Sequence, residues 1–261
     1  MHTNPFKPIT ILKHFLLLVI LIFLSISCRA DILRVYCDNW SGFCEKDGEG
    51  FYFDLVREIF QPHGYTIEPH IVPYKRASNI VNHNKGDMLL GVYQGELDNV
   101  LIPTYPDSAD DLVAIMLRKW QPDWRGESSL TKQSVIWPRG WALEKYLPTP
   151  IYWHEVENDE TAIELLKRER YRYYITVGAL YPADKTPANI HREFLRWIPT
   201  YPAFSNDKRG EELRKTWDES MRNIINSGKL IEIYRHHHLY EHYQEFIDTL
   251  TKDEYNLTNP H

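Results

Sequence analysis

The chain has 261 residues, 43% of them apolar and 25% charged, which is ample for a buried core and for one large or two small domains. Its 36 Asp plus Glu against 30 Lys plus Arg leave a formal charge of −6. That balance argues against a nucleic-acid or anionic-membrane partner, which requires a basic footprint.

The first segment reads as an export signal. Lys7 and Lys13 give a positive start, and no acid precedes Asp31. Phe15 to Ile26 is apolar except for Ser25, a length that suits a signal core and is short of the about 20 residues of a membrane span. Cys28-Arg29-Ala30 offers a small-x-small site, so cleavage is expected after Ala30. The alternatives are a lipoprotein acylated at Cys28, with Leu24 one position off the usual spacing, and an uncleaved anchor. Cleavage would remove Lys7, Lys13 and Arg29, leaving 231 residues with 27 Lys plus Arg against 36 acids, a formal charge of −9. The expected localisation is the periplasm.

Ile32 to Tyr36 reads as a short strand. Cys37 and Cys44 follow it, with six residues between them. In an oxidising compartment an even pair this close predicts a disulfide, the alternative being two reduced buried thiols. So short a loop has little closure entropy to remove, and the staple would mainly shape the loop carrying Trp40 and Phe43. Phe51 to Phe60 has helical apolar spacing and ends at Pro62 and Gly64. Tyr65 to Val72 is strand-like, with Pro69 pointing to an edge or a bulge. Pro73 opens a helix with Ala77, Ile80 and Val81 inward, closed by Asn84 to Gly86. Asp87 to Tyr93 is a near-continuous apolar run, expected for a strand buried on both faces. Two β-α-β units in succession predict a parallel sheet.

Gln94 to Asp111 reads as a polar loop, and Leu112 to Leu117 as a strand. After a polar stretch from Trp120 to Gln133, Ser134 to Trp137 is a strand ending in Pro138-Arg139-Gly140. Ala142 to Tyr146 starts a short helix. Ile151 to Val156 is a strand, Asp159 to Arg170 an amphipathic helix and Tyr173 to Leu180 a strand. Trp197 to Phe204 is extended. Lys208 to Asn226 and Lys229 to Phe246 are two closing helices, and a polar tail follows. A second β-α-β series thus begins near residue 120 and the chain returns near Phe204. Two α/β lobes joined by two crossings place a ligand cleft between them.

Five phrases carry a resemblance. They are Gly50-Phe51-Tyr52-Phe53-Asp54-Leu55, Pro73-Tyr74-Lys75-Arg76-Ala77, Asn84-Lys85-Gly86-Asp87, Phe204-Ser205-Asn206-Asp207 and Ser227-Gly228-Lys229-Leu230. In this order, over Ile32 to Tyr240, the chain resembles the bacterial extracellular solute-binding proteins of family three, receptor subunits of amino-acid ABC importers. The resemblance implies an α/β periplasmic-binding-protein-like fold of two lobes on a two-crossing hinge. The expected organisation is a signal peptide at 1–30, lobe 1 at 31–118, lobe 2 at 119–203, C-terminal helices returning to lobe 1 at 204–246 and a tail at 247–261. The implied function is capture of a small polar solute by lobe closure. The implied partners are that solute and an ABC permease or membrane sensor, and the expected state is a monomer.

One departure bears on the ligand. Receptors of this family usually follow the third strand with a Ser/Thr-rich turn and an Arg that holds the ligand carboxylate. Here the segment is Tyr93-Gln94-Gly95-Glu96-Leu97-Asp98, without Arg. Either Arg76 or Arg139 supplies the charge from elsewhere, or Glu96 faces a cationic or hydroxylated ligand.

The expected ligand-binding residues are weighed against plainer roles. Trp40 in the stapled loop stacks on ligand or packs in the core. Tyr74 and Arg76 open a helix beside the cleft, where Arg76 otherwise makes a surface ion pair. Tyr93 ends a buried strand, where ligands bind in open α/β sheets. Glu96 contacts ligand or is a solvated loop acid. Arg139, Gly140 and Trp141 form a strand-to-helix turn whose backbone N–H groups can hold an anion. Tyr181 follows the last strand of the second lobe.

No cofactor, metal or catalytic residue is expected. His236, His237, His238 and His242 have partial metal spacing but no fixed companion ligands, and read as a wet terminal helix. Glu155 and Glu157 share a strand face, too common a pattern to signal acid/base chemistry. No nucleophile elbow, P-loop or dinucleotide fingerprint occurs. The alternative functions are an exported enzyme on the same scaffold, such as a cyclic-acid dehydratase with Glu96 as proton donor, and a ligand-presenting sensor.

Overall fold

The computed structural model describes residues 31–147, 150–183 and 186–251. The expected signal segment, with Cys28, and the end of the tail lie outside these residues. No helix among the described residues is long and apolar enough to cross a membrane.

The strands are β1 (Asp31–Cys37), β2 (Tyr65–Ile71), β3 (Met88–Tyr93), β4 (Val100–Leu101), β5 (Ser108–Leu117), β6 (Ser134–Pro138), β7 (Tyr152–Val156), β8 (Tyr173–Val177) and β9 (Ile190–Ser205). The helices are α1 (Phe51–Phe60), α2 (Tyr74–Asn82), α3 (Asp159–Lys167), α4 (Lys208–Asn226), α5 (Lys229–His236) and α6 (Tyr240–Thr251). The strands form one sheet in the order β2-β1-β3-β9-β5-β8-β6-β7, with β4 paired to β9.

β1 pairs with β3, and β6 with β7 and β8, in parallel, as the β-α-β reading predicts. The sheet as a whole is mixed, because β9 runs antiparallel to β3, β4 and β5, and β5 antiparallel to β8. β5 and β9 pair from Ser108↔Thr200 to Leu117↔Ile190 and form the ribbon joining the two ends of the sheet.

Alternation along β5 divides the core. Leu112, Ala114 and Met116 enter one cluster, which includes Ala77, Val81, Leu89, Val92 and Trp137. Val113, Ile115 and Leu117 enter another, with Ile136, Tyr174, Ala162 and Leu166 of α3. Such partition follows from the two-residue period of a strand. A third cluster packs α1, α4, α5 and α6 on the opposite side of β1 and β3, around Phe51, Leu55, Phe60, Phe204, Trp217 and Tyr234.

Helix starts follow local chemistry. Asp207 caps α4 by accepting the Gly210 N–H at 2.8 Å, and Asn158 caps α3 by accepting the Thr161 N–H at 2.9 Å. Pro73 precedes α2, and Pro69 lies on the terminal strand β2.

Four expectations change. β5 begins at Ser108 rather than Leu112, since the buried polar residues Ser108 and Asp111 find partners within the fold. β9 begins at Ile190 rather than Trp197, because its charged first half pairs with β5 although its sequence lacks an apolar stripe. The short helix after β6 is a single 3₁₀ turn, Leu143–Lys145. The last helix is two, broken at His237 to Leu239, where His238 has φ +56°. The break lets both Tyr234 and Tyr243 enter the core with ring centroids 5.4 Å apart. α6 also continues past residue 246, with Ile247 and Leu250 buried.

Candidate functional site

Cys37 and Cys44 form a disulfide. Within the loop they close, the Trp40 N–H donates to the Cys44 carbonyl at 3.0 Å and the Cys44 N–H donates back at 2.8 Å. This small bridge holds the Trp40 indole 5.7 Å from the Tyr74 ring and 6.3 Å from the Tyr52 ring.

The strand opposite makes room for the indole. Pairing of β3 with β9 slips between Leu89 and Val92, and Gly91 within the slip has φ +69°. A side chain there would be strained, and its Cβ would lie 2.9 Å from the Trp40 ring. The irregularity turns the Gly91 N–H toward Asp107, whose Oδ2 accepts it at 3.0 Å. Asp107 Oδ1 accepts the Thr200 hydroxyl at 2.6 Å. With its only proton so used, Thr200 Oγ1 accepts from the Tyr52 hydroxyl at 3.2 Å.

Tyr93 organises the polar side. Its N–H donates to Glu96 Oε2 at 3.0 Å, and its hydroxyl donates to Asp110 Oδ2 at 2.5 Å. Glu96 Oε1 accepts the Tyr74 hydroxyl at 2.8 Å. Together Trp40, Tyr52, Tyr74, Tyr93, Glu96 and Asp110 line a cleft, joined by Phe43, Gly91, Trp141, Val177 and Leu180. The walls therefore come from β1 to β3 on one side and from the β6 turn and the end of β8 on the other.

Burial controls the charge of this site. It raises the Glu96 carboxyl to about 7, against the lowering effect of the hydrogen bonds from Tyr93 and Tyr74 and of Lys145 and Lys75. Asp110, half-buried at the cleft wall, rises to about 7 by desolvation, with the neighbouring acids Asp111, Asp107 and Glu96 adding to the rise. Asp107 rises to about 6, also by burial. Asp111 points to the other face of β5, where its carboxylate accepts from the Ala179 N–H at 2.9 Å and bonds His242 at 2.9 Å.

The far wall is latched to the near one. Lys145 Nζ donates to the carbonyls of Gly95 (3.2 Å) and Glu96 (3.0 Å), and the Tyr146 hydroxyl to that of Gln94 (2.9 Å). At Gly140, with φ +89°, a Cβ would lie 3.2 Å from the Lys75 Cβ, so the β6 turn rests against α2.

The structure brings Trp40, Tyr74, Tyr93, Glu96 and Trp141 together around this cleft, as the sequence suggests. Arg76 stands exposed on α2, away from the lining. Arg139 is exposed and pairs with Glu157 at 2.6 Å. The expected anion site at the Arg139–Trp141 turn is corrected: the Arg139 N–H donates to the Val156 carbonyl at 3.0 Å and the Gly140 N–H to Glu155 Oε1 at 2.8 Å. Tyr181 packs in the α3 cluster, away from the cleft.

Sequence reading missed Tyr52, Gly91 and Asp110. Asp110 carried a usable signal, an acidic pair leading directly into an apolar strand. The histidines disperse: His237 bonds Asp54 Oδ2 at 2.8 Å, while His242 bonds Asp111. Asp54, His236 and His237 are the one group with metal-ligand proximity among the described residues, and the Arg57 guanidinium occupies Asp54 Oδ1 at 2.9 Å.

No protein-family model matches the chain, and no curated protein matches it closely. Solved structures do resemble it. The arginine-binding protein of T. maritima, as a P235GK mutant, is 18% identical with TM-score 0.61, covering 80% of this chain and 96% of its own. An amino-acid ABC transporter substrate-binding protein, AbpA from Streptococcus pneumoniae bound to L-arginine, is 14% identical with TM-score 0.63, covering 82% and 97%. The GluR0 ligand-binding core in complex with L-glutamate is 16% identical with TM-score 0.65, covering 80% and 98%. At these identities the likeness is one of fold, and the fold is of the α/β periplasmic-binding-protein type.

Proposed function

We propose that the chain is a solute-binding protein that captures a small polar solute in the cleft between Trp40 and Trp141 and delivers it to an ABC permease. The observation that carries this reading is the cleft itself, lined by aromatic and acidic side chains from both ends of the sheet on a fold whose solved relatives are amino-acid-binding proteins. The lobes are 31–118 with 204–246 on one side and 119–203 on the other, hinged on β5 and β9. Ligand favours the closed arrangement by binding it more tightly than the open one. Residues 1–30 direct export to the periplasm, in keeping with the Cys37–Cys44 disulfide.

The enzyme reading has one observation in its favour, a Glu96 carboxyl raised to about 7. Against it, both Glu96 oxygens already accept hydrogen bonds, from Tyr74 and Tyr93. A carboxyl held as a double acceptor serves binding better than proton delivery.

The test is a thermal-shift screen against amino acids, amines, sugars and cyclic acids. A ligand that binds only the folded chain raises Tm by mass action. A rise with one chemical class, lost in Trp40→Ala, is expected. Absence of any shift across all classes would remove the receptor reading.

A further inference from the structure

Resting on that receptor reading, we propose that the cleft selects an organic cation without a carboxylate, an amine or quaternary ammonium held against the rings of Trp40, Tyr52 and Tyr74 and the carboxylates of Glu96 and Asp110.

The charge inventory leads to this class. Among the described residues, Glu96 and Asp110 are the acids that line the cleft, and no Lys, Arg or His does. The nearest cation tied to this turn, Lys145, spends its ammonium on the Gly95 and Glu96 carbonyls. Arg139 is held by Glu157 outside, and Arg76 is exposed. The turn after β3 carries Leu97, not a guanidinium. An α-amino acid would therefore bring its carboxylate into a buried site without a partner and beside two acids. Burying an unpaired charge costs several kcal/mol, so the carboxylate is a liability here rather than an anchor.

The same site suits a cation. Each carboxylate oxygen has two acceptor directions, and Tyr74 and Tyr93 use one apiece on Glu96. Asp110 uses Oδ2 for the Tyr93 hydroxyl. Capacity remains on both groups for ammonium N–H donors. Ring faces attract a desolvated cation electrostatically, which is the logic of aromatic cages.

Desolvation of the two acids points the same way. Burial lifts both Glu96 and Asp110 to about 7. The groups that face Glu96 are Tyr74 and Lys75 of α2, Tyr93 of β3, and Lys145 and Tyr146 of the latch. Those that face Asp110 are Tyr52, Tyr74, Tyr93, Tyr243, Glu96, Asp107 and Asp111. Lys75 and Lys145 are the cations in these sets, and neither is among the residues that line the cleft. A bound ammonium would favour the ionised acids, so binding should release protons and tighten as pH rises from 6 to 8.

The experiment is isothermal titration calorimetry on the purified chain with matched pairs: putrescine and ornithine, cadaverine and lysine, agmatine and arginine, together with choline, glutamate and glucose. The expected result is a cation that binds at least tenfold more tightly than its α-carboxylated counterpart or than glutamate and glucose. Its affinity should fall tenfold or more in Glu96→Gln and in Asp110→Asn, two variants that guard against a folding defect in either. Proton release should appear as a buffer-dependent enthalpy. Tighter binding of an amino acid, an anion or glucose would overturn the cation assignment and leave the receptor reading intact. Silence from these probes and from the full thermal-shift screen would overturn both.

Discussion

Tyr93 is the residue on which the cleft turns, because its N–H and its hydroxyl each hold a different carboxyl. One of them, Glu96, rises from 4.5 to about 7 on burial. A carboxyl whose folded value lies above its unfolded value contributes stability below pH 4.5 and loses it as pH climbs through 7. The rise corresponds to about 3 kcal/mol across that window. In the ligand-free protein, Glu96→Gln should therefore gain stability relative to the unmodified chain as pH goes from 4.5 to 7. Urea unfolding at several pH values measures this difference; parallel curves for the two proteins would mean that Glu96 titrates as an exposed acid. Trp40, Tyr74, Tyr93 and Glu96 were legible because each stands at the end of a clear element, where a cleft wall belongs. Asp110 was not, since its strand enters the sheet through polar residues. Arg76 and Arg139 misled because a sequence shows a guanidinium but not the direction it takes, and both lie exposed.

The elements hold their register through buried polar pairs. β1 and β3 are parallel neighbours, and Arg34 on β1 grips Asp87 just before β3. Asp87 Oδ1 meets Arg34 Nη2 at 2.8 Å, while Oδ2 accepts from Arg34 Nε at 3.1 Å and from the Arg34 N–H at 2.9 Å. Arg209 of α4 approaches Asp87 at 3.4 Å, tying the returning helices to the same point. Burial alone would raise Asp87, but the Arg34 hydrogen bonds and the two guanidinium charges hold it below its ordinary value. Its contribution is therefore present above pH 3.8 and lost as pH falls through the lowered value. Asp87→Ala should cost about 1 kcal/mol at neutral pH, by removing the buried carboxylate that pairs the partly exposed Arg34 and Arg209. Chemical denaturation with an unchanged m-value and a lower midpoint would meet this expectation; an unchanged midpoint would show that the register is set by the apolar strands alone. The phrase Asn84-Lys85-Gly86-Asp87 thus has a structural reason. Most elements were legible from their apolar pattern, since α1 and α4 bury apolar faces at helical spacing and β3 is a near-continuous buried run. The first half of β9 and the break before α6 were not, because pairing with β5 and docking of Tyr243 are long-range events that leave no local pattern.

At the scale of the whole molecule, one ribbon of β5 and β9 joins two ends that also touch across the cleft. Polar groups meet there, Lys145 on two carbonyls and Tyr146 on a third, beside the Tyr146 ring 5.1 Å from that of Tyr93 and the Gly140 turn against Lys75. All three carbonyls belong to Gln94, Gly95 and Glu96, the turn that presents the Glu96 carboxylate. On the proposed receptor reading, the latch would close on the backbone of the residue that meets the ligand, and would release before a solute leaves. Hydrogen bonds of this kind contribute about 0.5–1.5 kcal/mol each. Removing them with Lys145→Ala and Tyr146→Phe together should speed ligand dissociation by about tenfold, since about 1.4 kcal/mol is a factor of ten. Association should change little, because on the same reading solute would enter an open form in which the latch is undone. Trp40 and Trp141 line the cleft and supply a fluorescence signal for stopped-flow measurement. A faster off-rate with an unchanged on-rate is the expected result. Equal off-rates would mean that the two walls do not part on the path of release, and equal loss in both rates would mean that the latch shapes the cleft rather than gates it.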